Sequence, residues 1–390
     1  MNFHLLTQYL DSLAEEYGNP GLDIIVKKGY ETVYRHSTGF SDAAGTKPVS
    51  DKDFYRLYSC TKVITMTAMM QLIEQGKASL YDPVSRFLPE WDSMTVVNCN
   101  WKERGDFFSP GLKEPSHYAK NRVRIIDCMS MMAGLTYDLQ SEAIQELLKE
   151  NPMATTREVA AAIARMPLLY EPGTRYQYSL GHDIIAAVIE VISGERFSDY
   201  LQNHIFTPLG IKDLTCHPNE EQLSRMSQLY AYNPETDSIG PVETEMRFEI
   251  TPNYESGGAA LCGTADEYIK VVEALANGGV GATGERILRE ESVMKFTHSV
   301  TTGQALQDFR VGRFLEYGYG LGVRVKVDPM LGRSPVGEFG WDGAAGGYAL
   351  VDPFNQVSVF YVEHVLNFFE VYGVIHPRVR DLVYKGLARD

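Results

Sequence analysis

Hydrophobic and polar residues recur along the chain with two different periods. The first residues, MNFHLLTQYLDSLAEEYG, carry apolar side chains at helical spacing and predict an amphipathic helix. Residues 22–40 predict two short strands around the Lys28-Gly29 turn. The apolar run at 63–73 predicts a buried helix that ends at Gly76. The amino-terminal part of the chain therefore combines strands with helices.

The middle of the chain has a mostly helical pattern. Residues 98–122 are polar, rich in aromatic residues, glycine and proline, and without periodicity, so they predict a long surface loop. From about 123 to 210, apolar residues return at helical spacing. The predicted helices lie at 123–132, 140–149, 156–165, 184–192 and 197–206.

The carboxy-terminal part returns to strand patterns. From about 245, glycine-rich turns alternate with segments such as YGYGLGVRVKV, GGYALVDP and QVSVFYVEHV. One helix at 265–276 interrupts these strands, and another at about 377–388 closes the chain. This order predicts an α+β type of α/β fold. Residues 1–85 and 235–390 form a discontinuous α/β domain, and residues 86–234 form an inserted, mostly helical domain.

Composition excludes several classes of function. A formal net charge of −15 argues against nucleic acid or an anionic membrane as a partner. No apolar run is long enough for a membrane helix, and the amino terminus lacks the features of a signal peptide. The five cysteines are scattered without a C-x-x-C pair, which favours a reducing, cytoplasmic location. The nine histidines lack the spacing of a metal site, so neither metal nor cofactor is expected.

The sequence SCTK at 59–62 is an S-x-x-K motif that opens the apolar helix. Positions three apart share one helix face, so the Lys62 amine can reach the Ser59 hydroxyl. A serine hydroxyl needs a base to become a good nucleophile, and apolar surroundings favour the neutral lysine that can serve as one. A second motif, SVMK at 292–295, lies in a charged segment that we expect to be mostly exposed, so context favours Ser59.

Around Ser59 the chain resembles the β-lactamase and penicillin-binding protein superfamily. Further similar segments follow in that family's order over roughly residues 5–365: VRIIDCMSMMAGL (123–135), LLYEPGTRYQYSLGHDIIAAVIEVISG (168–194), GGAALCGTADEYIKVVEALANGG (257–279) and EFGWDGAAGGYALVDP (338–353). The resemblance implies a central antiparallel sheet flanked by helices, with the active site between the two domains. It also implies that Ser59 is the nucleophile, Lys62 its base and Tyr178 the acid–base partner.

Two departures from that family bear on the substrate. Trp341-Asp342-Gly343 replaces the usual Lys-Thr-Gly, so the cation that holds a substrate carboxylate is absent. Leu180 replaces an asparagine that bonds the substrate amide in β-lactamases. Both departures resemble the family VIII carboxylesterases of the same fold. That resemblance implies that Trp341, Asp342, Gly343 and Leu180 contact substrate, and that penicillins bind poorly.

The resemblance also implies an oxyanion site made of the backbone N–H groups of Ser59 and Ala344. Asp342 is unusual within Trp-x-Gly, and two roles stay open for it. Its carboxylate either binds a hydroxyl or cationic group of the substrate, or it caps a turn or pairs with an arginine.

These observations predict a cofactor-free serine hydrolase that cleaves small carboxylic esters through an acyl-enzyme on Ser59. Four alternative functions are also consistent with the sequence. They are an acyltransferase, an amidase or peptidase for D-amino acids with Asp342 holding the amine, a weak β-lactamase, and a non-catalytic binding protein. The sequence does not indicate an oligomeric state.

Overall fold

In a computed structural model, residues 1–105, 108–242, 248–311 and 314–388 are described. The α-helices are α1 (His4–Tyr17), α2 (Thr61–Glu74), α3 (Ile125–Met129), α4 (Glu142–Glu150), α5 (Thr156–Ile163), α6 (Gly181–Ser193), α7 (Phe197–Leu201), α8 (Glu220–Ser224), α9 (Ala265–Ala276), α10 (Glu290–Lys295), α11 (Gly303–Phe309) and α12 (His376–Leu387). The strands are β1 (Gly21–Lys28), β2 (Glu31–Gly39), β3 (Tyr55–Arg56), β4 (Thr95–Val97), β5 (Ser116–Tyr118), β6 (Leu214–Thr215), β7 (Tyr230–Asn233), β8 (Ser238–Pro241), β9 (Cys262–Gly263), β10 (Tyr317–Tyr319), β11 (Arg324–Lys326), β12 (Phe339–Gly340), β13 (Tyr348–Asp352), β14 (Val357–Glu363) and β15 (Val365–Leu366).

A seven-stranded sheet joins the two ends of the chain. Its order is β10-β11-β12-β13-β14-β1-β2, and every neighbouring pair is antiparallel. Side chains of a strand point alternately to its two faces. Leu22, Ile24 and Val26 of β1 pack into one core, and Ile25 packs into the other. Both faces of the central strands are therefore buried, and the predicted antiparallel sheet is confirmed.

Helices cover both faces of this sheet. The helices α1 and α12 pack together on one face, where Leu6, Leu10 and Val379 join the core of β1 and β14. The helix α9 lies against β1, β13 and β14 on the other face. This arrangement is a β-lactamase-like fold, in which the strands come from sequence positions more than 300 residues apart.

The helix α2 lies at the centre of the molecule. It packs on α6 and α7, and every residue from Thr61 to Leu72 is buried. A helix that is apolar all round belongs in the interior. The helices α3 to α7 pack on one another beside it. The helical middle of the chain is thus confirmed, while the boundaries at 85, 86, 234 and 235 stay a prediction.

Three expectations need correction. The loop at 98–122 is not wholly irregular, because β5 pairs with β4 at its end; residues 106 and 107 lie outside the described residues. Two short helices, α10 and α11, join α9 within the strand-rich part. The first middle helix, α3, is shorter than predicted, because Met131 takes a positive φ of 59°. Short elements such as these are fixed by pairing and packing partners more than by local periodicity.

The five cysteines are free thiols, and four of them are buried. None of the described helices combines the length and apolar character that crossing a bilayer demands.

Candidate active site

Ser59 lies where a short strand turns into the central helix. The strand β3 pairs with β9, and the N–H of Leu57 donates to the carbonyl of Leu261 at 3.0 Å. Tyr58 then takes a φ of 45°, and a single 3-10 turn leads into α2. A left-handed backbone at a bulky residue costs energy and is concentrated at functional sites. The turn leaves Ser59 partly exposed beside a buried helix.

Two side chains converge on the Ser59 hydroxyl. The Nζ of Lys62 lies 3.1 Å from Oγ, one helical turn along the chain. The hydroxyl of Tyr178 donates to the same Oγ at 2.7 Å. Three residues predicted from the sequence thus share hydrogen bonds at one oxygen atom. An ammonium or amine and a phenol in this position can accept or deliver a proton at Ser59.

Aromatic stacking fixes the ring of Tyr178. Tyr137 stacks on one side of it, with ring centroids 5.4 Å apart and an interplanar angle of 5°. Trp341 lies 5.7 Å away on a nearly parallel plane, and its indole N–H donates to the Tyr178 hydroxyl at 3.3 Å. The Nζ of Lys62 lies 4.8 Å from the centroid of the Tyr178 ring. The phenol is therefore held by its neighbours in hydrogen-bonding range of Ser59.

The carboxylate and carbonyl groups around Lys62 are contributed by residues that sequence reasoning missed. The carbonyl of Gly258 accepts from Nζ at 2.8 Å. Asp183 is buried nearby, where it accepts from Tyr254 and Ser256 at 2.6 Å each. Burial raises the pKa of Asp183, and these hydrogen bonds and the Lys62 charge partly oppose that rise. None of these positions has a local signal, since each lies far from Ser59 in sequence.

A cavity of about 360 Å³ opens beside Ser59. Most of the predicted site residues line it, namely Ser59, Tyr178, Trp341, Asp342, Gly343 and Ala344. Its remaining walls are mainly apolar or aromatic, formed by Tyr176, Phe309, Val311, Phe314, Phe369 and Tyr372, with Asn367 as a polar member. A concave, largely apolar site with a few convergent polar groups is typical of small-molecule binding.

Leu180 does not join this cavity. Its side chain is 2% exposed and lines a small separate space together with Leu135 and Pro167. Leu180 is the residue just before α6, and its backbone N–H donates to the carbonyl of Thr136 at 3.0 Å. The expected contact between Leu180 and the substrate thus finds no support in the geometry, because the residue after the Tyr178-Ser179 pair already turns into the core.

Asp342 pairs with an arginine. Its Oδ1 accepts from Nη1 of Arg324 at 2.7 Å, and both side chains are buried. The second nitrogen, Nη2, donates to the carbonyl of Ala349 at 2.9 Å. Burial opposes the charged guanidinium, but Asp342 and nearby groups outweigh it and raise the pKa of Arg324. Of the two roles left open for Asp342, the arginine pair is the one observed.

The two residues expected to supply oxyanion donors, Ser59 and Ala344, lie on opposite segments of the chain, one before α2 and one after Gly343. Within the described part of the chain, the N–H groups of Ser59 and Ala344 donate to no other residue. Both residues line the same cavity. The hydroxyl of Tyr372 donates towards the carbonyls of Gly343 and Ala344 at 2.8 and 2.9 Å. Tyr372 therefore holds the turn by its carbonyl groups and leaves the N–H of Ala344 without an acceptor among the described residues.

His182 and Ser292 both lie outside the lining of the Ser59 cavity. His182 is fully buried and contacts the carbonyl of Met129 at 3.0 Å. Burial and the Lys62 charge lower its pKa to about 3, so the imidazole is neutral at physiological pH. In the second S-x-x-K motif, Ser292 is buried, not exposed as expected, while Lys295 is exposed. That serine cannot reach substrate from its position in α10.

Gly343 is required by a close backbone approach. A Cβ at this position would lie 2.6 Å from the carbonyl oxygen of Leu57, two residues before Ser59. We expect Gly343→Ala to lower the free energy of unfolding by about 1–3 kcal/mol and to reduce turnover, because the turn must move away from Ser59. Denaturant unfolding and ester kinetics measure both effects. The matched variant Gly240→Ala meets open space, so an equal loss there would contradict this explanation.

No group of three or more histidine, cysteine, aspartate or glutamate side chains that could hold a metal ion occurs among the described residues.

Comparisons with known proteins identify the family and the fold of this chain. A family model described as Beta-lactamase matches residues 6–373. Esterase EstB of Burkholderia gladioli is 25% identical over 402 residues, covering 97% of this chain and 94% of its own. Two solved structures share the fold over at least 97% of both chains. They are EstCE1, a hydrolase with promiscuous acyltransferase activity (TM-score 0.77, 22% identity), and a family VIII carboxylesterase (TM-score 0.75, 18% identity).

Proposed function

The chain belongs to the beta-lactamase family, and we propose from this membership and from the contacts of Ser59 that it is a serine hydrolase of carboxylic esters. The observation that carries the proposal is the convergence of Lys62 and Tyr178 on one hydroxyl, at 3.1 and 2.7 Å. The similarity to Esterase EstB supports the ester bond as the substrate. The reaction needs no cofactor in this proposal.

The proposed reaction runs through an acyl-enzyme. Lys62 takes the proton of Ser59 as Oγ attacks the ester carbonyl carbon. The backbone N–H groups of Ser59 and Ala344 hold the negative oxygen of the tetrahedral intermediate. The C–O bond to the alcohol then breaks, and Tyr178 gives its proton to the leaving oxygen and regains one from Lys62. Water enters by the reverse of these steps and releases the acid.

The charge of the cavity lining supports an ester over a penicillin. Among the described residues that line it, Asp342 is the charged one, and it faces Arg324. A carboxylate on the substrate would thus find no cation among these lining residues, in the segment that replaces the Lys-Thr-Gly of the superfamily the sequence resembles. The pairing also leaves little reason to propose an amine site at Asp342, which weakens the alternative of an amidase for D-amino acids.

Intact-mass analysis with short acyl esters tests the proposal. We expect a single acyl adduct, with peptide mapping placing it at Ser59 and leaving the buried Ser292 unmodified. A chromogenic β-lactam serves as the comparison and is expected to turn over poorly. No adduct with any ester, an adduct at another residue, or efficient β-lactam hydrolysis would each contradict the proposal.

Acyl transfer is a second candidate. The walls of the cavity are largely aromatic, with Tyr176, Phe309 and Trp341 buried beside the nucleophile. Such walls can hold an acceptor alcohol against the acyl-enzyme in place of water. EstCE1, a hydrolase with promiscuous acyltransferase activity, has this fold. Measuring the ratio of ester to acid products with added alcohols separates the two outcomes.

A further inference from the structure

A second cavity lies next to the Ser59 cavity. Its volume is about 370 Å³, close to the 360 Å³ of the first. Phe314, Asp342 and Tyr372 line both cavities, so the two spaces meet at these side chains. We call the new space the second compartment. A substrate group attached near the scissile ester could therefore extend past Asp342 into it.

The polar wall of the second compartment consists of paired charges. Arg324 pairs with Asp342 at 2.7 Å, and Arg380 pairs with Glu316 at 2.5 Å. These four residues are the fixed charges among the described residues that line the compartment, and His376 lies beside them. Two cations thus face two carboxylates. An added ion would be attracted by one member of each pair and repelled by the other.

The burial of these groups makes the wall selective. Arg324 and Arg380 are 1% and 2% exposed, and Asp342 is 8% exposed. Buried polar groups favour a ligand that both donates and accepts hydrogen bonds, because an apolar ligand would displace their water without replacing its bonds. A hydroxyl group has both capacities. The wall therefore favours neutral hydroxyl groups over ions and over hydrocarbon.

The remaining surface of the compartment is apolar. The rings of Tyr317 and Tyr348 flank Arg324, with its guanidinium carbon 5.5 and 4.5 Å from their centroids. Leu315 and Leu331 form the mouth and are 66% and 46% exposed. Exposed apolar side chains that border a cavity offer a surface for the apolar face of a ligand. Together with the polar wall, they fit a ring that carries hydroxyl groups.

We propose that the second compartment binds a neutral, hydroxylated ring, such as a sugar or a polyhydroxylated carbocycle, carried by the ester substrate. This inference rests on the proposed ester hydrolysis and specifies its substrate class. The ring belongs either to the leaving alcohol or to the acid, because the junction at Phe314 and Tyr372 adjoins the Ser59 cavity as a whole. The chemistry of recognition is the same in both cases.

Two matched pairs of esters test the proposal. The first pair is the butyrate of the primary hydroxyl of methyl glucoside and the butyrate of cyclohexylmethanol. The second pair is the ethyl ester of a trihydroxycyclohexane carboxylic acid and ethyl cyclohexanecarboxylate. We expect the hydroxylated member of one pair to have a kcat/KM at least about tenfold higher, because the hydrocarbon offers no hydrogen bond to the buried Glu316 Oε2 and His376 Nδ1, which have no hydrogen-bond partner among the described residues. The pair that discriminates identifies which end of the ester enters the compartment.

Substitutions at the mouth test whether the preference for hydroxylated esters arises in the second compartment. Leu331→Trp should fill the mouth and lower the ratio of kcat/KM for the hydroxylated ester to that for the hydrocarbon ester towards one. Leu315→Trp should have the same effect. The neighbouring Met330 is 86% exposed and outside the lining, so Met330→Trp should keep the wild-type ratio.

The outcomes separate this inference from the proposed function. If the protein hydrolyses none of these esters and no short acyl ester, the proposed function fails. If it hydrolyses them with equal kcat/KM within both pairs, or if the preference survives both mouth substitutions, only the second compartment is refuted. A preferred ester whose ring carries a carboxylate or an amine would also overturn the assignment, because the paired wall is expected to reject ions.

Discussion

Ser59→Ala is expected to lower the rate of ester hydrolysis by at least about 10³-fold and to remove the acyl adduct, since the nucleophilic oxygen is lost. The fold should persist. Ser59 is only partly exposed in the turn before α2, and alanine fits the space without new contacts. Initial rates with a short chromogenic ester, together with intact mass and circular dichroism, measure these effects.

The second S-x-x-K motif provides the control for this experiment. Ser292→Ala makes the same chemical change at a serine that is 4% exposed in α10 and outside the cavity. We expect this variant to retain the wild-type rate. A Ser59→Ala protein that keeps more than about a tenth of the activity would remove the basis of the proposed acyl-enzyme.

Lys62→Met should reduce kcat/KM by about 10²–10⁴-fold, because no base is then available to take the Ser59 proton. Lys62 is fully buried in α2, and methionine approximates its shape without a charge. Unfolding by denaturant should therefore show a folded, cooperative protein, which separates a catalytic effect from a structural one. Lys295→Met is the matched control at an exposed lysine and should leave kcat/KM unchanged.

A double variant tests whether Lys62 and Tyr178 act on the same proton. The two groups meet at one oxygen atom, with Nζ 4.8 Å from the phenol ring. We expect Lys62→Met combined with Tyr178→Phe to be little slower than the slower single variant, because residues that act as one unit are not additive. Multiplicative losses would instead indicate independent roles and would contradict the shared proton path.

The Arg324–Asp342 pair explains why an arginine close to Trp341-Asp342-Gly343 does not replace the lysine expected in a Lys-Thr-Gly segment. Arg324 reaches the Trp-Asp-Gly segment from the neighbouring strand β11, but its charge is met by Asp342 at 2.7 Å. A substrate carboxylate would have to compete with this buried partner, and breaking such a pair is costly. The sequence departure at Asp342 therefore changes the electrostatics of the cavity through a residue eighteen positions away.

Most long elements of the fold were predictable from local pattern. The helix at 265–276 has the predicted bounds, and α1, β1, β2, β14 and α12 lie where periodicity placed them. These segments have strong apolar repeats whose period matches the structure they form. The strand β5 and the helices α10 and α11 were missed. They are three to seven residues long, and so short an element carries too few repeats to define a period.

The residues of the candidate site were also predictable only in part. The S-x-x-K spacing places Lys62 on the same helix face as Ser59, because residues three apart on a helix are neighbours whatever surrounds them. Tyr178 and Trp341 were identified by resemblance to a family, and the fold brings both to within hydrogen-bonding range of one another. Leu180 was expected beside them. It turns inward instead, because α6 begins at the next residue and directs its side chain into the core.

The amino-acid sequence by itself determined the periodic elements, the Ser59–Lys62 spacing and the absence of a lysine before Gly343. These are properties of neighbouring residues, and local geometry fixes them. Only the tertiary structure decided that Ser292 is buried, that Arg324 neutralises Asp342, that Tyr137 stacks on Tyr178, and that a second compartment adjoins the first. Each of these depends on side chains brought together from distant positions by the packing of the sheet and helices. No local sequence pattern predicts such contacts, because their energy comes from burial and pairing between distant parts of the fold.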